Sequence, residues 1–266
     1  MNTIVHPLLT AVGSGKGGTG KTLVSLALAR ALSDLGERVL LFDADVGLAN
    51  TVVQLGLDNG GDVSAILMGA PIEQQHVAAV DGGAERRRGF DLLAPPPGSG
   101  ALADMPPELA QTLVRALRYA KHYDCVILDL AAGVDSTTMT FAAASDSCLL
   151  VMTPDPAALA DAYAFVKLVL KRGGVLPRSL VNMVSGEAEA RRVADSLART
   201  ALAFLHQSPE TAGFIPRDTR VCDAIRRQRQ LLDLFPGAPA ARALSGIAQR
   251  LVAATQQRIP RLMSVR

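Results

Sequence analysis

Ser14-Gly15-Lys16-Gly17-Gly18-Thr19-Gly20-Lys21-Thr22 satisfies the pattern G-x-x-x-x-G-K-[ST] and carries a second lysine, Lys16, inside the loop. The glycines let the backbone curl, so that consecutive N–H groups, including those of Gly15, Gly17, Gly18, Thr19 and Gly20, face phosphate oxygens. The helix that follows adds its positive dipole end to the same anion site. In such a loop Lys21 reaches the β- and γ-phosphates, and the Thr22 hydroxyl completes a Mg²⁺ shell. The apolar run Leu8–Val12 reads as a strand before the loop, and Leu23–Leu35 reads as a helix after it. A glycine-rich turn with an adventitious lysine does not account for that strand–loop–helix context.

Two further strand ends bring carboxylates. Leu41-Phe42-Asp43-Ala44-Asp45 places aspartates at i and i+2 behind an apolar run. If the strand continues through them, both project to the same side. One can then support the metal shell while the other orients an attacking water. Cys125-Val126-Ile127-Leu128-Asp129 is an apolar run closed by an acid, as expected of a buried strand that delivers one carboxylate to a metal's outer shell. Ala131-Ala132-Gly133 follows, small enough for backbone to approach a terminal phosphate and act as a switch. Each acidic stretch alone also reads as a solvated turn or an ordinary strand end. Joined to the loop, they read as a hydrolytic site.

Outside the site, short apolar runs alternate with helical ones. Strands are expected at Leu8–Val12, Val39–Phe42, Phe90–Leu93, Cys125–Leu128, Ser147–Met152 and Ser179–Val184. Helices are expected at Lys21–Leu35, Pro107–His122, Pro156–Arg172, Ala188–His206, Asp218–Gln230 and from Ala240 to about Gln257. This order predicts an α/β fold: a three-layer, doubly wound, mostly parallel sheet with helices on both faces, of the P-loop NTPase type. With 266 residues, 49% of them hydrophobic, the chain suits a single ATPase domain over residues 1–266. Pro95–Gly100 reads as a loop and not a boundary, because the sheet pattern resumes after it. The net charge of +2 is too small to announce nucleic acid as a partner. Cys125, Cys148 and Cys222 lack metal-ligand spacing; the first two read as core thiols, which suits a reduced, cytoplasmic compartment. No signal peptide is expected, and no apolar run reaches about 18 residues.

The loop with Lys16, followed by Asp43-Ala44-Asp45-Val46-Gly47-Leu48-Ala49-Asn50 and Asp129-Leu130-Ala131-Ala132-Gly133, resembles the deviant Walker A ATPases of the MinD/ParA family. That resemblance implies an ATP-sandwiched homodimer, with Lys16 crossing the interface to the partner's nucleotide and acting in trans like an arginine finger. It implies ATP and Mg²⁺ as cofactors, slow hydrolysis, Asp45 as the residue that positions the water, and Asp43 and Asp129 as supports of the metal's water shell. Within the family the pattern is most similar to the flagellar regulators of the FlhG/FleN group. The segments that carry this are Pro154-Asp155-Pro156, Asp161-Ala162-Tyr163-Ala164-Phe165-Val166-Lys167, Val181-Asn182-Met183-Val184 and Gly213-Phe214-Ile215-Pro216-Arg217-Asp218. By the same resemblance Asn182 reads the adenine edge and Pro216 lines the base pocket, although Asn182 also reads as a strand-end cap.

The expected function is therefore a dimeric switch that controls flagellar number or placement. Its candidate partners are a second copy of itself, a flagellar GTPase of the FlhF type, a flagellar switch protein or a transcription regulator. Met1–His6 carry no D-Q-A-x-x-L-R motif, the segment with which relatives stimulate that GTPase, so stimulation by this route is not expected. Residues 258–266 mix arginines with Ile259, Leu262, Met263 and Val265, a composition that suits contact with an anionic membrane surface or with a partner such as a second copy, or else a frayed terminus, with Pro260 breaking a continuous helix. Arg86-Arg87-Arg88 reads as a solvated loop. Arg220, Arg226, Arg227 and Arg229 support, less strongly, nonspecific DNA binding by a ParA-like partitioning ATPase. A MinD-like septum-site regulator is the other alternative. A metal-cluster carrier is disfavoured, because the cysteines are not paired.

Overall fold

The computed structural model describes residues 6–45, 50–84, 89–95 and 105–263, with side chains as far as residue 254. Gly47-Leu48-Ala49, Arg86–Arg88, most of the Pro95–Gly100 loop and the side chains of the C-terminal tail lie outside the described residues.

The strands are β1 (Leu8–Ser14), β2 (Val39–Ala44), β3 (Ala78–Val80), β4 (Phe90–Leu93), β5 (Cys125–Ala132), β6 (Ser147–Met152), β7 (Arg178–Val184) and β8 (Thr211–Pro216); β3 and β8 add to the six expected apolar runs. They form one sheet in the order β3-β4-β2-β5-β1-β6-β7-β8. Each adjacent pair is parallel except β3–β4, where Ala79 lies opposite Asp91. Side chains alternate between two cores. Leu40, Phe42, Val126, Leu128 and Leu150 face one, while Val39, Leu41, Ile127, Leu149 and Val151 face the other. A strand buried on both faces is apolar throughout, which is why these segments read as continuous runs.

The first core is covered by α4 (Pro107–Arg118), α5 (Ser136–Ala144), α6 (Ala157–Lys171) and α7 (Glu187–Leu205). The second is covered by α1 (Lys21–Asp34), α2 (Asn50–Leu55), α8 (Thr219–Arg226), α9 (Leu231–Leu234) and α10 (Pro239–Met263). A short α3 (Val63–Leu67) adds Ile66 to the first core. The expected three-layer, doubly wound, mostly parallel arrangement is thus present. The chain moves outward from β1 in both directions, so the loop after β1 opens at the crossover point where such sheets present a ligand crevice.

Three expectations are corrected. The helix expected over Asp218–Gln230 stops at Arg226, because Gln228 takes a left-handed conformation at φ 50° and turns the chain before α9. The last helix runs beyond Gln257 to Met263 and passes through Pro260, losing one backbone hydrogen bond near its end but not breaking. β2 ends at Ala44, so Asp43 and Asp45 do not continue one strand side by side. The cause is local: the Asp45 N–H donates back to the Asp43 carboxylate at 3.0 Å, an aspartate turn.

Candidate phosphate and metal site

β1 delivers the loop and α1 receives it. The Ser14 hydroxyl donates to the Lys16 carbonyl at 2.7 Å, fixing the first bend. A Cβ on Gly15 would stand 2.2 Å from the Asp161 carbonyl oxygen of α6, so only glycine lets the loop pass that helix. Gly20 has φ 86°, and a Cβ there would stand 2.5 Å from the Asn182 amide nitrogen. Gly17 and Gly18 are exposed at the loop's tip, and Gly20 caps α1 without a side-chain acceptor. The first-turn N–H groups of α1 are thereby left for an anion.

Lys21 and Thr19 are buried beside this helix end, and the Thr19 hydroxyl has no hydrogen-bond partner. Asp129 is 1% exposed: its Oδ1 accepts from the Ser25 hydroxyl at 2.8 Å, and its Oδ2 has no partner. Burial raises the Asp129 carboxyl well above the usual carboxylate range, and the nearby Asp43 charge adds to the rise, while Ser25, Thr22 and Lys21 oppose it. Asp43 lies opposite Asp129 in the β2–β5 register and is fully buried. Its carboxylate accepts from the Asp45 N–H, from the Thr51 N–H at 3.2 Å and from the Thr51 hydroxyl at 2.6 Å. Burial raises its pKa too, and those three bonds work against the rise.

Lys16 is turned to another use. Its ammonium pairs with the Asp155 carboxylate, in the Pro154-Asp155-Pro156 turn before α6, and both side chains stay partly exposed. Lys16 and the Ala157 N–H hold the Asp155 carboxyl below its ordinary value. Asn182, at 3% exposure, donates through Nδ2 to the Thr19 carbonyl at 2.8 Å and accepts from the Met183 N–H. The amide thus ties β7 to the phosphate loop, and reading a base edge with it requires sharing or exchanging one of those bonds. Asp45 is half-buried at the crevice. Pro216 ends β8 at the sheet's edge, beyond β7 from the loop.

These features fit a magnesium-bound nucleoside phosphate. Two buried oxygens, Thr19 Oγ1 and Asp129 Oδ2, lack partners where the loop, helix end and Lys21 converge. Among the described residues no three His, Cys, Asp or Glu side chains gather as a metal cluster. A cation here would thus rely on Thr22, water and phosphate oxygens, as Mg²⁺ does. Sequence reading missed Ser25, Thr51 and Asp155 as partners of the three charged residues. For Ser25 there was a signal: a lone hydroxyl within the apolar Leu23–Ala29 run, four residues after Lys21 and so on the same helix face.

Fold and site define a P-loop nucleotide-binding α/β protein. Residues 10–232 match the CobQ/CobB/MinD/ParA nucleotide binding domain, and the chain belongs to that family. It is 34% identical to the antiactivator FleN of Pseudomonas aeruginosa, over 93% of this chain and 87% of that protein. It is also 34% identical to the flagellum site-determining protein YlxH of Helicobacter pylori, over 72% of this chain and 63% of that one. Among solved structures it is similar in fold to the septum site-determining protein MinD of Pyrococcus horikoshii complexed with Mg-ADP. That likeness has a TM-score of 0.74 and 21% identity, over 92% of this chain and 96% of the other.

Proposed function

We propose that this protein is an ATP- and Mg²⁺-dependent dimeric switch that controls the number or placement of flagella. The observation that carries the switch reading is Lys16. Cradling phosphates within one chain needs Lys21 and the backbone, yet a second lysine sits in the loop, partly exposed and held by Asp155. Such a lysine is available to a nucleotide across an interface once that pair opens. The flagellar part rests on the likeness to FleN and YlxH.

Bound Mg²⁺ would neutralise phosphate charge and orient water. Thr22 would contribute a direct ligand, Asp129 and Asp43 would accept from its water shell, and Asp45 would hold the attacking water. Gly15–Lys21 would bind the phosphates, with Asn182 and Pro216 beside the base. The partner is a second copy of the chain, joined by a flagellar GTPase, switch protein or transcription regulator. The tail of α10 is the candidate for contact with an anionic membrane; no helix of the described residues is long and apolar enough to cross one.

The Asp45→Ala variant should lose turnover by about 100-fold or more while still binding ATP. Unchanged hydrolysis would remove Asp45 from the role. Flagellar counts in a deletion strain test the cellular reading, and wild-type numbers and positions would refute it. One observation favours a second reading: Arg220 at the start of α8 and Arg226, Arg227 and Arg229 at and after its end are all exposed, as a nonspecific DNA contact requires. Salt-sensitive, ATP-dependent DNA retardation that weakens in Arg226→Ala would favour it.

A further inference from the structure

α2 is a six-residue helix joined to the site at one end and to the arginine-rich turn at the other. At its start, both the N–H and the hydroxyl of Thr51 bond to the Asp43 carboxylate. At its end, the Gln228 amide donates to the Val53 carbonyl at 2.9 Å, from a residue held at φ 50°. A left-handed conformation is unfavourable for glutamine and persists only while its surroundings enforce it. Between these anchors little fixes the helix, for only Thr51 and Val52 are buried.

A second arrangement is built in. Gln54 of α2 and Gln230 before α9 line one small crevice, otherwise walled mainly by Leu23, Leu26, Leu55 and Leu231. Gln54 Oε1 is a buried acceptor without a partner, and Gln230 Nε2 is a buried donor without one. The two atoms are complementary, and unpaired buried amide groups are unfavourable. The Asp43 carboxylate, meanwhile, has three of its roughly four acceptor sites taken by protein donors. It cannot fully accept water from a metal shell and keep both bonds to Thr51.

We propose that α2 is a two-position element that couples Asp43 to the Arg226–Arg229 turn. Without metal, Thr51 and Gln228 hold it as described. When Asp43 turns to the water shell of bound Mg²⁺, Thr51 is released, α2 slides toward Leu231, Gln54 pairs with Gln230, and the Gln228 turn loosens. Thr51 and Gln228 are positioning residues in this scheme. It rests on the reading that the loop binds Mg²⁺ and nucleotide.

Hydrogen–deuterium exchange on the full chain tests it, with ADP plus EDTA compared with ADP plus Mg²⁺. The amides of Gln228 and Arg229 should exchange at least about threefold faster only when Mg²⁺ is present. Thr51→Val should reach that faster rate without metal, and Gln228→Gly should abolish the response to metal. If Mg–ADP protects Gly15–Thr22 but leaves the turn's exchange unchanged, the coupling is wrong and the nucleotide site stands. If Gly15–Thr22 gains no protection, the nucleotide reading fails and the coupling falls with it.

Discussion

The strand ends at Asp43 and Asp129 lie side by side, equally buried, and are satisfied in opposite ways. Asp43 is occupied by three donors from its own chain. Asp129 has Ser25 on one oxygen and no donor in bonding geometry on the other, with Thr22 and Lys21 near by. A buried carboxylate with an idle oxygen destabilises the empty fold and is retained for what it can later accept. A buried carboxylate that organises the next helix serves the empty fold already. One end of the crevice is thus preset, and the other must rearrange to take part.

Replacing each acid with its amide breaks the comparison most sharply. Asp129→Asn should lower ATP turnover by about 100-fold or more in a phosphate-release assay, since no carboxylate then faces the metal shell. In urea titrations without nucleotide the same variant should be more stable than wild type, by on the order of 2 kcal/mol at neutral pH. The sign follows from the raised carboxyl: the folded chain holds that proton more tightly than the unfolded chain. The Asp129 contribution to stability is therefore fully present at low pH and is lost as pH rises from the ordinary carboxylate range through the raised value. Asp129→Asn should flatten that slope.

Asp43→Asn should act in the other direction on stability, losing about 1–2 kcal/mol, because an NH₂ must replace one acceptor that faces N–H or O–H donors. An equal gain at both positions would erase the contrast. Ser25→Ala should cost about 1 kcal/mol without nucleotide, because Asp129 Oδ1 loses its 2.8 Å bond from the Ser25 hydroxyl. The smallest effect is expected at Asp155→Ala. Melting temperature should not change measurably, while dimerisation in sizing runs should need about two- to fivefold less ATP, since Lys16 no longer has to leave a partner.

The loop and both carboxylates were legible because their chemistry is written in local spacing. The central strands were legible because burial on both faces makes them apolar throughout. β3 was not: Ala78–Val80 is too short to show a period, and it is placed by pairing with β4. The break at Gln228 was also hidden, since Ile225-Arg226-Arg227-Gln228-Arg229 favours helix locally and the turn is secured by a bond to Val53, far away in sequence. Thr51 and Asp155 became visible as partners only when the fold brought them to Asp43 and Lys16.

α1 lies between the sheet and α10, with Val24, Leu28 and Leu32 in one core with Leu244, Ile247 and Leu251. During synthesis this places the beginning of the chain in wait for its end. The helix that carries Lys21 and Thr22 emerges early from the ribosome, but its outer face is covered only when residues 239–251 have followed. Nucleotide retention should therefore depend on residues 239–251. Stalled nascent chains ending before Pro239 should fail to retain ATP that full-length released protein retains, and retention by both would contradict this.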